Sequence, residues 1–241
     1  MNPKKREDFS KFIVHLTREY DNVSAEDNLI NIIDTKKIEA RNYHCLFAPL
    51  IKKSSFSLPL QNKFKTVCFT EISLNQINKI VGIIPRRKIQ LQPYGLVFWR
   101  HHLLEKGANP ALYINGSGDL KKYLLSKFNE QFKSINTFKR LSENDCYSNE
   151  ITNYYSLINI IQNNHDFSWE REWRFNGNYN FLYKELVAII VKNPDSFIDN
   201  CSNHLSVKKI EYIKRIPIIN PNWNYEEIVE SFALSIWQCR I

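Results

Sequence analysis

The sequence predicts an α+β fold in a single domain, residues 1–241. Three observations predict it. Short runs of β-branched and aromatic residues are interleaved with amphipathic helical stretches. Strands and helices mix without the regular alternation of a doubly wound sheet. No internal repeat or low-complexity tract is present, although Asn and Ile are abundant.

The elements follow in order. FIVHLT, Phe12 to Thr17, reads as a short buried strand. Ser24 predicts a helix N-cap with Asp27 at the third helical position, as in a capping box, and Leu29, Ile32 and Ile33 supply the apolar face. KTVCFTE, Lys65 to Glu71, is a second strand, and Ser73 reads as the cap of a short helix through Ile80. YGLVFWR, Tyr94 to Arg100, is another strand, and the short helix after it ends at Gly107, which suits a left-handed cap. PALYI, Pro110 to Ile114, is extended again. A longer helix starts at Asp119, with Leu120, Leu124, Phe128 and Phe132 along one stripe. Residues 134–150 are polar and irregular and read as a surface loop or inserted segment. LVAIIV, Leu186 to Val191, is a strand, followed by an Asn193-Pro194 turn and a short helix. IKRIPIIN, Ile213 to Asn220, is strand-like, and an amphipathic helix runs from Tyr225 to about Cys239.

The chain is 43% hydrophobic and 13% aromatic, enough for a sizeable core, which excludes a disordered protein. No apolar run is long enough to span a bilayer, and the charged start MNPKKREDFSK leads into no signal-peptide core. The expectation is a cytoplasmic protein with no membrane partner. The five cysteines are odd in number and scattered, without a CxxC pair, so neither a disulfide framework nor a zinc site is expected. His44–Cys45 and His101–His102 are sequence neighbours whose side chains diverge, and no metal is expected there. The formal charge of +8 favours a polyanion or an anionic cofactor. Its densest groups, Lys4-Lys5-Arg6, Arg86-Arg87-Lys88 and Lys208-Lys209, are short, and the spread of lysines fits solubility equally well.

SWEREWRF, Ser168 to Phe175, concentrates the chemistry. With a period of two, Glu170, Glu172 and Arg174 share one strand face and Trp169, Arg171 and Trp173 the other, the tryptophans packing the core behind it. Paired acids beside aromatics suit a site that steadies a transient positive charge; they equally suit an amphipathic edge strand. His15 in VHLT and Thr70-Glu71 closing VCFTE also lie near strand ends. Each has an ordinary structural reading: a satisfied core histidine, the entrance to a helix, acids paired with lysines.

VCFTEISL, YGLVFWRHHLLEKGANPALYI and FSWEREWRF, preceded by HLT and DNLINIIDTKKIEARN, resemble the AbiGi family of abortive phage-resistance proteins in order and spacing. The resemblance runs from about Phe12 to Val191. The pattern is also similar to that of the DarT toxins and other ADP-ribosyltransferases. It implies an ADP-ribosyltransferase-like fold, a split β-sheet core flanked by helices, with NAD as substrate. Breaking the nicotinamide–ribose bond builds an oxocarbenium-like cation, and a carboxylate bonded to the ribose 2′-hydroxyl stabilises it most in the transition state. The resemblance implies that Glu172 has that role and that Glu170, two residues earlier as in an E-x-E arrangement, orients or deprotonates the acceptor. It implies that His15 contacts the adenosine ribose or the nicotinamide side, with Thr17 nearby. Tyr94 would stack on nicotinamide, with Tyr43 and Tyr113 as competitors, and Arg100 would hold the pyrophosphate. In place of a Ser-Thr-Ser triplet on the central strand stands Phe69-Thr70-Glu71, which leaves Thr70 a supporting residue only.

Two functions follow. One is a toxin-like ADP-ribosyltransferase of phage defence, acting on nucleic acid, protein or water. The other is a catalytically inactive antitoxin or sensor of the same fold that binds the product of a neighbouring gene, as some AbiGi members are labelled. A nuclease is disfavoured: there is no Arg-to-His pair at HEPN ribonuclease spacing and no lysine after the acids, and Arg171 and Arg174 already balance their charge.

Overall fold

The computed structural model describes residues 10–53, 56–85, 87, 89–133, 149–162 and 166–238, and its fold is mixed α/β. The first elements are β1 (Phe12–Leu16), α1 (Ala25–Thr35), β2 (Lys37–Ile38), α2 (Ala48–Lys53), α3 (Leu58–Lys63) and β3 (Thr66–Thr70). Next come β4 (Gly95–Trp99), α4 (Arg100–Glu105), β5 (Asn109–Pro110), β6 (Leu112–Asn115), α5 (Asp119–Lys133) and α6 (Asn149–Leu157). The chain continues through β7 (Ile158–Ile161), β8 (Glu172–Asn176), β9 (Tyr179–Asn180) and β10 (Leu186–Ile190). It closes with α7 (Pro194–Ser202), α8 (Val207–Ile213), β11 (Ile218–Ile219) and α9 (Tyr225–Gln238). The chain forms two compact units from separated segments. The first takes residues up to Lys37, Phe69–Lys106 and those from Asn180 onward; the second takes Ile38–Cys68 and Gly107–Tyr179.

In the first unit β1 lies between β3 and β4, antiparallel to both, with Val14 opposite Thr70 and opposite Val97. β10 joins the other edge of β4 antiparallel, and β11 adds parallel to β10. All five residues of β10 are buried, as its unbroken apolar run LVAII requires of a strand covered on both faces. One face packs Val14, Leu16, Val97, Ala188 and Ile190 against Leu74, Ile77 and Ile228. Phe98 carries edge-on contacts to Phe69 and Phe181.

Helix α1 begins where its cap predicts. The Ser24 hydroxyl accepts from the Asp27 N–H at 3.0 Å and donates to the Asp27 carboxylate at 2.7 Å. Ser24→Ala is expected to cost about 1 kcal/mol, read from the shift in denaturation midpoint. Gly95 opens β4 because nothing larger fits: a Cβ there would stand 2.3 Å from the His15 carbonyl oxygen and 2.9 Å from Leu16 Cδ2. Gly95→Ala is expected to destabilise by about 1–3 kcal/mol, since a backbone atom of the neighbouring strand must move; denaturant unfolding measures it. Gly107, with φ +96°, ends the turn after α4 in the left-handed region that glycine reaches without a Cβ clash.

The second unit is built on aromatic rings. Phe47 stacks on Phe128 at 4.7 Å, and Phe56, Phe64, Phe132 and Tyr155 close round them. Leu124, Phe128 and Phe132 of the α5 stripe are buried as expected, but Leu120 is 54% exposed, because the stripe's first turn lies outside this cluster. PALYI divides. Asn109–Pro110 pair antiparallel with β8, and Leu112–Asn115 pair parallel with β7, a partner reached only after α5 and α6. Strand β7 had no sequence signal that separated it from the end of α6.

In the first unit IKRIPIIN is only briefly a strand. Ile210 and Ile213 are buried on one side of α8, and after Pro217 only Ile218 and Ile219 pair with β10. The irregular stretch expected at 134–150 lies outside the described residues except for its last two, which begin α6. Among the described residues no helix is long and apolar enough to cross a membrane.

Candidate active site around Glu172

The stretch EREWR is not one continuous strand. Ser168–Glu170 form a 3₁₀ turn, and Arg171 leaves it in the left-handed region at φ 47°, ψ 53°. Asp166 sets this turn up by accepting from the Ser168 N–H at 2.9 Å and its hydroxyl at 2.6 Å. Strand β8 therefore starts at Glu172, and the expectation that Glu170 shares its strand face is corrected. The two tryptophans separate for the same reason: Trp173 is buried in β8, whereas Trp169, on the turn, is 48% exposed.

Glu172 and Arg174 do share a face of β8, two residues apart, as the alternation predicted. Arg174 is 2% exposed. Its Nη2 donates to Glu172 Oε2 at 2.8 Å and its Nη1 to the Ser156 carbonyl at 2.6 Å. Its Nε is buried and finds no partner among the described residues. The Tyr113 hydroxyl donates to the same Glu172 oxygen at 3.1 Å, and the Cys68 thiol is a further donor to this carboxylate. Asn176 Nδ2 donates to the Ser156 hydroxyl at 3.1 Å, which extends the network into α6. All these residues belong to the second unit.

The electrostatics follow from burial and pairing. Burial by itself pushes the Glu172 carboxyl up, but the Arg174 charge and hydrogen bond, with those of Cys68 and Tyr113, outweigh it and hold the carboxyl below the usual carboxylate range. Burial, reinforced by the Glu172 charge, pushes up both the Tyr113 phenol and the Cys68 thiol. Both therefore keep their protons and act as donors. The charge of Glu170 also raises Tyr113, so the turn acid acts on the site through space.

No family model, curated protein or solved structure matches this chain.

His15, Thr17, Tyr94 and Arg100 lie in the first unit, whereas Tyr43 lies in the second. His15, on β1, sets its ring edge-on to Phe69 at 5.7 Å. Thr17 is buried; its hydroxyl donates to the Ala25 carbonyl at 2.8 Å and its N–H to the Tyr94 carbonyl at 2.7 Å, which ties β1 to α1 and to the start of β4. Burial and the neighbouring Glu26 carboxylate raise the Tyr94 phenol. Arg100 is the first residue of α4 and lies 3.7 Å from buried Glu71. Tyr94 and Arg100 thus flank opposite ends of β4, about 20 Å apart along the strand, so Thr17 and Tyr94 are brought together and Arg100 is not. Thr70 is buried opposite Val14. Sequence reasoning missed Cys68, Ser156 and the bond from Tyr113, which it had named only for stacking. Only Arg174 left a signal, its place two residues after Glu172. Among the described residues no group of three or more His, Cys, Asp or Glu is placed to hold a metal ion.

Proposed function

We propose that this protein is an NAD-consuming ADP-ribosyltransferase of the abortive-infection kind, with an ADP-ribosyltransferase-like split-sheet core. The observation that carries the reading is the Glu172 carboxylate, its side chain only 14% exposed and held anionic by the buried Arg174. An anion fixed in a dry, donor-lined setting stabilises a developing ribosyl cation more strongly than one in water, because nothing reorganises as the charge appears. The C1′–N bond breaks and nicotinamide leaves with the bonding pair. The acceptor oxygen forms the new bond to C1′ and gives its proton to Glu170. Thr17 and Arg100 are occupied by internal contacts, so the reading draws no NAD contact from them. The net charge of +8 favours a nucleic-acid acceptor.

One observation favours a second reading. The Glu172–Arg174 pair also satisfies the Ser156 carbonyl, as a purely structural pair in an inactive antitoxin or sensor would. Purified protein incubated with labelled NAD, alone and with RNA, DNA or lysate, separates the two. NAD loss with label on a macromolecule supports the enzyme, and label on one fraction names the acceptor. Absence of NAD loss in every mixture discards the enzyme in favour of the binding partner.

A further inference from the structure

We infer that Tyr113 is a positioning residue for Glu172: its hydroxyl fixes which way the carboxylate faces. The inference rests on the reading of Glu172 as the group that acts on NAD. A glutamate carboxylate turns almost freely about its last bond, whose torsional wells are broad, and one arginine N–H does not stop that rotation. Here a second donor comes from a different strand onto the same oxygen, Tyr113 at 3.1 Å beside Arg174 Nη2 at 2.8 Å. Two donors on one oxygen from two directions set the plane of the carboxylate.

The backbone holds the same two segments together. The Ala111 N–H donates to the Glu172 carbonyl at 2.8 Å, and Pro110 pairs with Trp173. Tyr113, two residues on, is held in turn by the parallel register of β6 and β7, opposite Asn159. Residues 110–113 thus grip the start of β8 by main chain and side chain at once. The phenol keeps its proton because burial and the Glu172 charge raise it, so the donor is present throughout the physiological range. A tyrosine is suited to the task. It adds a hydrogen bond without adding a second cation, which would weaken the field that Glu172 presents to a forming ribosyl cation.

The test is a carbon-13 carboxyl titration of glutamate-labelled protein, with Glu172→Gln used to assign the resonance, together with NAD kinetics on the same samples. Besides Tyr113, the groups that act on Glu172 are Arg174 on its own strand, Cys68 on β3 and Cys45 before α2, while the charge of Glu170 in the turn reaches Tyr113. All stay in place in Tyr113→Phe, so a change in the titration belongs to the lost hydroxyl. The expected result is a Glu172 pKa moved upward, kcat lowered about tenfold with KM unchanged, and the acid limb of the kcat profile moved upward with the carboxyl. A Glu172 titration that is unmoved in Tyr113→Phe overturns the inference whether or not NAD turns over. Wild-type protein that shows no turnover discards the enzymatic reading instead, a result the titration alone cannot produce. A moved titration with kcat and its pH profile unchanged also overturns the positioning role.

Discussion

Arg174→Met is expected to destabilise the protein by about 3–5 kcal/mol, the largest stability loss we anticipate from a single polar substitution. Methionine nearly fills the volume of the arginine, so the loss is electrostatic rather than a cavity. It leaves the Glu172 carboxylate, whose side chain is 14% exposed, without its cation, and leaves the Ser156 carbonyl without its 2.6 Å donor. The pH dependence gives the sign. Because Arg174 holds Glu172 below the ordinary carboxylate value, the pair's contribution is fully present above that value and is lost as pH falls through the folded pKa. The gap between wild type and Arg174→Met should therefore be widest near neutrality and narrow in acid. Denaturant unfolding at a series of pH values measures it. The double variant Glu172→Gln/Arg174→Met, which removes both charges, should recover most of the loss. A single-variant cost below about 1 kcal/mol would mean that water, not Arg174, neutralises Glu172.

Glu172→Gln is expected to lower NAD turnover roughly 100- to 1,000-fold, the range for removing one preorganised electrostatic contact from a transition state. The amide can still accept from Arg174 and Tyr113, so the geometry is retained while the charge is gone. It also leaves Arg174 as a buried cation without a counter-charge, which costs stability on its own account. The double variant controls for this. If it melts close to the wild type and still fails to consume NAD, the loss belongs to the missing carboxylate and not to unfolding. Turnover that survives in Glu172→Gln would remove the catalytic role, and the pair would be structural.

These predictions turn on contacts of unequal visibility in the chain. The Ser24–Asp27 cap, the α5 stripe from Leu124 to Phe132 and the strand around Val97 were readable, because each depends on residues no more than a few positions apart. The pairing of Leu112–Asn115 with Ile158–Ile161 was not, since a parallel partner so far along the chain leaves no local pattern. Glu170 was misplaced for the converse reason. A clean alternation over EREWR hid a turn that Asp166 and Ser168 stabilise by hydrogen bonds outside the repeat.

By itself the sequence determined the capped start of α1, the strands around Val14, Val67, Val97 and Ala188, the mixed α/β character and the place of Glu172 and Arg174 on one strand face, because caps and two- or 3.6-residue periods are properties of neighbouring residues. The environment of that pair was decided only by the tertiary structure. Cys68, Tyr113 and Ser156 reach Glu172 and Arg174 from β3, β6 and α6, and their burial turns an ordinary surface motif into a desolvated, ionised carboxylate held by donors. Desolvation and through-space charge depend on what surrounds a group in three dimensions, and no spacing along the chain encodes that.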